Sequence, residues 1–430
     1  MIVFDLSRLV SRASRGTPTG IDRVELAYAE HLIASKHPLC FTLMTPFGFG
    51  GVSRAQAHAY LEHLAWAWRH SDSLQQINRA KRLARKLQAA ALCRGQRALL
   101  RQPRSETGVV YMLVSHHHLE KRRAIARLKR QAAARFVCLI HDLIPIEFPE
   151  YALPGQNERH RRRIESAAAL ADAVIVNSTV TRDGFVPYLV RAGRTPPVLV
   201  APFGADLTPA LPAVSPPVRP PYFVCIGTIE ARKNHLLLLN LWRQLATELG
   251  EAAPRLVLVG QRGWETESAI DMLERCPALR GFVFERSDVP DGEAARLVQG
   301  AQALLLPSFA EGFGFPLIEA LALGVPVLCS NLAALRENGG DVPEYLDPLD
   351  GFAWRCAITD YALPASPRRA AQLDRLSRWT SPTWQVHFAA VEALIAEVQS
   401  VGQYEAEHST AAGPKGPRSW FDDRRTAAIR

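Results

Sequence analysis

Over the first half of the chain, short apolar runs alternate with longer stretches of helical period: IVFDL, then GIDRVELAYAEHLIA, later VVYMLVS, FVCLIHD and AVIVNS. Continuous apolar runs of this length read as strands buried on both faces. With amphipathic helices between them they predict repeated βα units and a parallel sheet. At 206–221 the composition changes to DLTPALPAVSPPVRPP, where six prolines remove backbone donors and forbid regular structure. A second α/β series follows, with YFVCIGT, RLVLVG, FVFE, ALLLPS and VPVLCS as strands and a helix over HLLLLNLWRQLATEL. The expected organisation is a Rossmann-like domain over 1–205, a linker over 206–221 and a second Rossmann-like domain over 222–385. A terminal helix is expected over 386–402, and a polar tail over 403–430 with too little apolar surface to order it.

Composition agrees with two packed cores. The 430 residues are 48% hydrophobic and 22% charged, which excludes general disorder. Seven cysteines stand singly with no CxxC pair, and Cys138, Cys225 and Cys329 fall inside apolar runs, so reduced core thiols are expected rather than disulfides or zinc. The start MIVFDLSRLV does not resemble a signal peptide, and the best apolar run, ALALGVPVLC, is about half of what a bilayer helix needs. A cytoplasmic protein is expected. The net charge of +9 is concentrated near 79–135. There Arg79, Lys81, Arg82, Arg85 and Lys86 alternate with Ile77, Leu83 and Leu87, as in a basic amphipathic helix. Such a helix suits peripheral contact with an anionic membrane at the inner face of the plasma membrane. No aromatic residues interleave the charges, which argues against nucleic acid.

The segment at 303–330, ALLLPSFAEGFGFPLIEALALGVPVLCS, carries the most chemistry. It reads strand, loop, helix, strand, with Pro316 in the first helical turn and Gly324 at the exit, so the helix is expected over 316–323. The glycines of EGFGF admit close backbone approach, and the helix N-terminus offers unpaired N–H groups and partial positive charge to phosphate or sugar oxygens. Glu311 and Glu319 bracket one ligand-sized site.

These two glutamates, with GFGFP between them, the LLLPS strand before and GVPV after, resemble the E-x7-E motif of retaining family 4 glycosyltransferases. The resemblance implies a GT-B fold, two facing doubly wound α/β domains with the site in the cleft. The second domain would hold a nucleotide-sugar and the first the acceptor. It implies further that Glu311 lies near the donor sugar and that Glu319 bonds the ribose hydroxyls. Donor contacts fall along Gly312, Phe313, Gly314, Phe315, Pro316 and Leu317, with backbone contacts to the sugar from Gly314 and Phe315.

In CIGTIEARKNH, after the first strand of the second series, Gly227 and Thr228 join the donor set and Arg232 and Lys233 can face a diphosphate. Preplaced cations stabilise the charge that grows on the leaving group. Similar enzymes carry Arg where Thr228 stands, which makes Lys233 the main candidate and Arg232 a substitute. In TPTGIDRVELAYAEHL, Gly20 lets the loop close over the diphosphate. In FVCLIHDLIPIEFPEY the strand ends at His141 and Asp142, and a histidine in this context meets the donor sugar in similar enzymes. Asn177 and Ser178 end the AVIVNS strand toward the cleft. His116, His117 and His118 are adjacent and cannot converge as helix-spaced ligands do, so no metal is expected; an acceptor-side position suits them better.

The combination GIDRV, HDLIP and IEARKNH most resembles bacterial O-antigen, capsule and exopolysaccharide transferases, many of which use GDP-mannose. The expected activity is a metal-independent hexosyl transfer, with mannose favoured, to a glycan or lipid-linked acceptor. A sugar-nucleotide epimerase of the same fold, or a basic membrane or nucleic-acid binding protein without catalysis, are the alternatives.

Overall fold

The computed structural model describes residues 1–69, 74–95, 108–205 and 218–411. Their strands form two sheets. The first contains β1 (Ile2–Asp5), β2 (Leu39–Thr45), β3 (Gly48–Val52), β4 (Val109–Leu113), β5 (Ala134–Ile140), β6 (Ala173–Val176) and β7 (Val198–Val200), in the order β3-β2-β1-β4-β5-β6-β7. All neighbours are parallel except β3, which returns antiparallel to β2. The second contains β8 (Tyr222–Ile226), β9 (Arg255–Val259), β10 (Val283–Arg286), β11 (Leu304–Leu306), β12 (Val327–Ser330) and β13 (Glu344–Leu346). It is fully parallel, in the order β10-β9-β8-β11-β12-β13.

Helices cover both faces of each sheet, which is why most strand residues are buried whichever way they point. In both sheets the order reverses beside the first strand of the series, between β1 and β4 and between β8 and β11. A doubly wound sheet opens a crevice at that switch point, at the carboxyl ends of the strands. One body of buried apolar residues runs from Phe4, Val137 and Ile175 in the first sheet through Phe203 and Phe313 to Val224, Leu306 and Val327 in the second. The fold is α/β with two Rossmann-like domains.

The last helix is longer than its sequence pattern suggested. It spans Trp384–Ala411, so 403–411 are helical, and 412–430 lie outside the described residues. It packs across β4 to β7 and so completes the first domain, although it follows the second. His387 makes this return specific: it pairs with the Tyr28 hydroxyl at 2.7 Å and meets the Ala201 and Pro202 carbonyl oxygens at 3.1 Å. Most of the proline-rich linker, 206–217, also lies outside the described residues.

The basic stretch forms the helix Leu74–Arg94, with 96–104 outside the described residues. Its apolar stripe is spent inside the protein, because Ala80, Ala84, Leu87 and Ala91 are buried against helix Arg54–Arg69 and β3. Arg79, Arg82, Arg85 and Lys86 face outward, as do Leu74 and Leu92 near the two ends of the helix, while Leu87 is buried.

The approach of this helix to β3 is close enough to require glycine. A Cβ on Gly50 would lie 2.1 Å from the Ala91 carbonyl oxygen, whereas one on Gly292 in helix Asp291–Gln299 meets nothing within 4 Å. Gly50→Ala is therefore expected to cost about 1–3 kcal/mol by overpacking and lower the thermal midpoint. Gly292→Ala should leave the midpoint unchanged or raise it by the helical preference of Ala, up to about 1 kcal/mol. Equal melts for the two variants would contradict this packing.

Candidate active site

The loops that leave β8 and β11 at the second switch point are joined by one carboxylate. Glu311 accepts from Lys233 Nζ at 2.5 Å, from Arg232 Nη1 at 3.2 Å and from the Ser308 hydroxyl at 2.7 Å. Its side chain is only 6% exposed. Burial alone would raise the Glu311 carboxyl, but Lys233 and Arg232 outweigh it and hold it down at about 2. Arg232 is fixed in turn by Glu230 at 2.6 Å and by the Ala310 carbonyl at 2.8 Å. Gly227 adopts φ +146°, a conformation that favours glycine, and the Lys233 chain folds back to 3.4 Å from where a Cβ would stand. Glu311, Lys233 and Arg232 are thus brought together as the sequence implied, but as a mutually neutralised cluster. Thr228 packs against the loop after β9, where a Cβ on Gly263 would lie 2.8 Å from its Cγ2.

The EGFGF loop then turns into helix Phe315–Ala322, one residue earlier than expected. Gly314 is its N-cap at φ +89°, and a side chain there would strike Leu335 at 2.4 Å. Pro316 occupies the first turn. Two of the expected donor contacts have buried side chains. Phe313 is buried, its ring 4.9 Å from Phe203 and 5.1 Å from Phe315, and Leu317 is fully buried core. The aromatic rings of this loop seal the two domains together, leaving only backbone to face a ligand.

Residues of the first domain close over this loop. A Cβ on Gly312 would lie 2.7 Å from Asp142 Cβ and 3.0 Å from the His141 carbonyl oxygen, so HDLIP and EGFGF are in contact. A Cβ on Gly20 would lie 3.2 Å from the Phe315 ring. The His141 ring donates from Nε2 to the Val114 carbonyl at 2.8 Å, and its backbone N–H donates to His116 Nε2 at 3.1 Å. Burial pushes His141 down to about 4, against the Val114 hydrogen bond and Asp142, so the ring is neutral near pH 7. Asn177 donates to the His141 carbonyl at 2.8 Å, which ties the end of β6 to the end of β5. Ser178 caps helix Thr179–Ala192. His117 and His118 pack against each other at the end of β4, both neutral because burial pushes them down. Among the described residues no group of three or more His, Cys, Asp or Glu could hold a metal ion.

Glu319, expected at a ribose, is hydrogen-bonded across the cleft by Arg23 at 2.9 Å, and the other arm of Arg23 reaches Asp291. Arg23 was visible in GIDRV, one turn inside the Gly20 helix and off its apolar face, but nothing in the sequence names its partner 296 residues away. Also missed was a polar floor under the first switch point. Asp22 is fully buried and bonded by Arg8 at 2.7 Å. Asp5 accepts from the Ser7 N–H and Tyr111, and Glu25 is fully buried with one oxygen unpartnered.

Two α/β domains whose strand ends face one cleft, with paired cations and carboxylates at its centre, have the arrangement of the GT-B glycosyltransferases. Residues 220–353 match the family described as glycosyl transferases group 1. The chain is similar to O-antigen chain mannosyltransferase B of Escherichia coli, 30% identical over 259 residues, which cover 58% of this chain and 67% of that protein. It is also 30% identical over 226 residues to the serotype-specific mannosyltransferase WbdA of Escherichia coli, spanning 48% of this chain and 27% of that one. The crystal structure of Anabaena HepE in complex with UDP shares the fold at a TM-score of 0.53 and 14% identity, covering 95% of this chain and 99% of the other. The chain belongs to the glycosyl transferases group 1.

Burial pushes the Glu25 carboxyl up to about 8, with Arg8 opposing and Asp5 reinforcing the shift. A raised acid holds its stability below its ordinary value of 4.5 and loses it as pH rises through about 8. Glu25→Gln is therefore expected to flatten the fall in unfolding midpoint between pH 4.5 and 8. A variant with the same slope as the parent would show that Glu25 is not held protonated.

Proposed function

We propose that this glycosyltransferase is a retaining family 4 enzyme that moves mannose from GDP-mannose to a growing polysaccharide or lipid-linked oligosaccharide. The observation that carries the reading is the Glu311 cluster beneath His141, with Glu319 on the same helix start. The mannosyltransferase names of relatives at 30% identity favour the donor sugar and the glycan acceptor over the epimerase alternative.

In this reading the diphosphate lies over Lys233 and the N-terminus of helix Phe315–Ala322. Charge grows on it as the glycosidic bond lengthens, and donors already in place stabilise it without reorganising. Glu311 holds Lys233 and Arg232 at the strand end. The neutral His141 and its Asn177-bound carbonyl bound the sugar from the first domain. Leaving-group departure leads bond formation, the acceptor hydroxyl attacks from the face the diphosphate leaves, and a diphosphate oxygen takes its proton. The positive charge for this comes from side chains and the helix end, so no metal is required.

No described helix is long and apolar enough to cross a membrane. We propose a cytoplasmic protein that touches anionic lipid through the outward cationic face of helix Leu74–Arg94, chiefly by charge, since Ala80, Ala84, Leu87 and Ala91 are packed inward.

Purified protein with GDP-mannose and a polymeric acceptor is expected to give an α-linked product by NMR, and the rate should survive EDTA. A β-linked product would overturn retention, and loss with rescue by Mg²⁺ would overturn metal independence. Glu311→Gln and His141→Ala should cut turnover with little change in GDP affinity, as for interactions made mainly in the transition state. Co-sedimentation with phosphatidylserine vesicles should fall steeply with added salt. Salt-independent binding, or equal binding to neutral vesicles, would count against a chiefly electrostatic contact.

A further inference from the structure

We infer that Arg23 is a residue of the donor site supplied by the opposite domain, where its guanidinium and the ribose hydroxyls compete for the Glu319 carboxylate. This rests on the proposed reading of Glu319 as the ribose acceptor.

The start of helix Gly20–Ala34 is held unusually firmly. Thr19 and Asp22 cap each other, with the Thr19 hydroxyl donating to Asp22 at 2.7 Å and its N–H at 2.9 Å. Arg8 pins both residues, donating to Asp22 at 2.7 Å and to Thr19 at 3.2 Å. Arg23 follows directly, so its chain leaves a fixed base and extends into the cleft rather than wandering. There its two arms take two carboxylates of the second domain, Nη1 on Glu319 at 2.9 Å and Nη2 on Asp291. Gln261 of the second domain donates to Thr17 at 3.3 Å, a further interdomain contact from the segment that precedes this helix.

Arg23 approaches Glu319 from the cleft, the side from which a nucleotide must also arrive. The Glu319 side chain is 11% exposed and Arg23 is 25% exposed. A partly buried carboxylate of this kind loses free energy when its partner leaves, and the ribose diol must restore it. Asp291 keeps hold of the displaced guanidinium, so the exchange strands no charge. Arg23 and Glu319 lie on opposite domains, so binding ribose also removes a bond between domains. In reverse, Arg23 reclaims Glu319 and favours release of the nucleoside diphosphate. Arg23 is a positioning residue that sets nucleotide affinity through Glu319.

Calorimetric titration of the full chain with GDP and with UDP tests this, using the nucleotide that binds the parent more tightly. Glu319→Gln is expected to weaken binding. Arg23→Gln should tighten it about three- to tenfold, the range of one hydrogen bond net of its exchange with water. Arg23→Lys, which retains the charge, should fall between Arg23→Gln and the parent. In the Glu319→Gln background, Arg23→Gln should have no further effect, a coupling that general loosening of the fold would not produce. Weaker binding by Arg23→Gln would mean that the guanidinium contacts the nucleotide, and overturns the inference. Unchanged binding, with Glu319→Gln still defective, overturns it while leaving the ribose reading intact. No defect in Glu319→Gln removes the ribose reading and the inference together.

Discussion

A carboxylate buried at the end of a parallel sheet costs several kcal/mol unless it is paired, and Glu311 is paired three ways. Its partners come from two loops, 228–233 after β8 and 307–311 after β11, so one ion cluster fixes both sides of the switch point. Around that cluster the local geometry follows. Gly227 lies at positive φ beside the Lys233 chain, Arg232 turns toward Ala310, and the Phe309 N–H donates to the Arg232 carbonyl at 2.7 Å. The loop that continues from Glu311 turns at Gly314 into the helix that carries Glu319.

The second constraint is the way the domains are joined. Phe203, at the crossing from the first domain, is parallel to the Phe315 ring at 5.4 Å and 5.7 Å from Trp384 at the return crossing. A Cβ on Gly204 would lie 2.2 Å from the Trp384 backbone nitrogen, so the two crossings touch. The phenylalanines of EGFGF therefore do structural work while their backbone faces the cleft. At the far rim, Glu337 of the second domain accepts from the Thr179 N–H and hydroxyl at 2.7 Å, a carboxylate seated on the N-terminus of a first-domain helix. The polar rim contacts, including Arg23 with Glu319, can be exchanged for a ligand at lower cost than the aromatic seam.

Much of the fold was legible because strands buried on both faces leave unbroken apolar runs, and VVYML, FVCLI, AVIV and RLVLV all read correctly. What escaped was what periodicity does not encode. The β2–β3 hairpin turns through TPFG, without a two-residue turn signature, and β7 and β13 are three residues each, too short to carry a pattern. Carboxyl ends of strands follow directly from where strands stop, so the sequence put Glu311, Lys233 and His141 in the segments after β11, β8 and β5, where the structure has them, and Glu319 in the helix that follows the first of these. It could not show that Phe313 and Leu317 turn away from the cleft. Phenylalanine beside glycine reads the same whether the ring packs on a sugar or on Phe203. Nor could it pair Arg23 with Glu319, because an interdomain contact leaves no trace in local spacing.

The pairing inside the cluster bears on how the proposed chemistry would work. Arg232 and Lys233 stand opposite Glu230 and Glu311, two positive charges against two negative, so the loops after β8 and β11 are close to neutral. A diphosphate would not be drawn there by net charge alone. What these loops offer is direction: Lys233 is held at the strand end by the same carboxylate that neutralises it, and the N–H groups at the start of helix Phe315–Ala322 carry no side-chain cap. Fixed dipoles and a fixed ammonium gain most where charge is still developing, because they need not reorganise when it appears. Neutrality before the reaction and stabilisation during it are then two consequences of one arrangement, and Glu311 is the residue on which both depend.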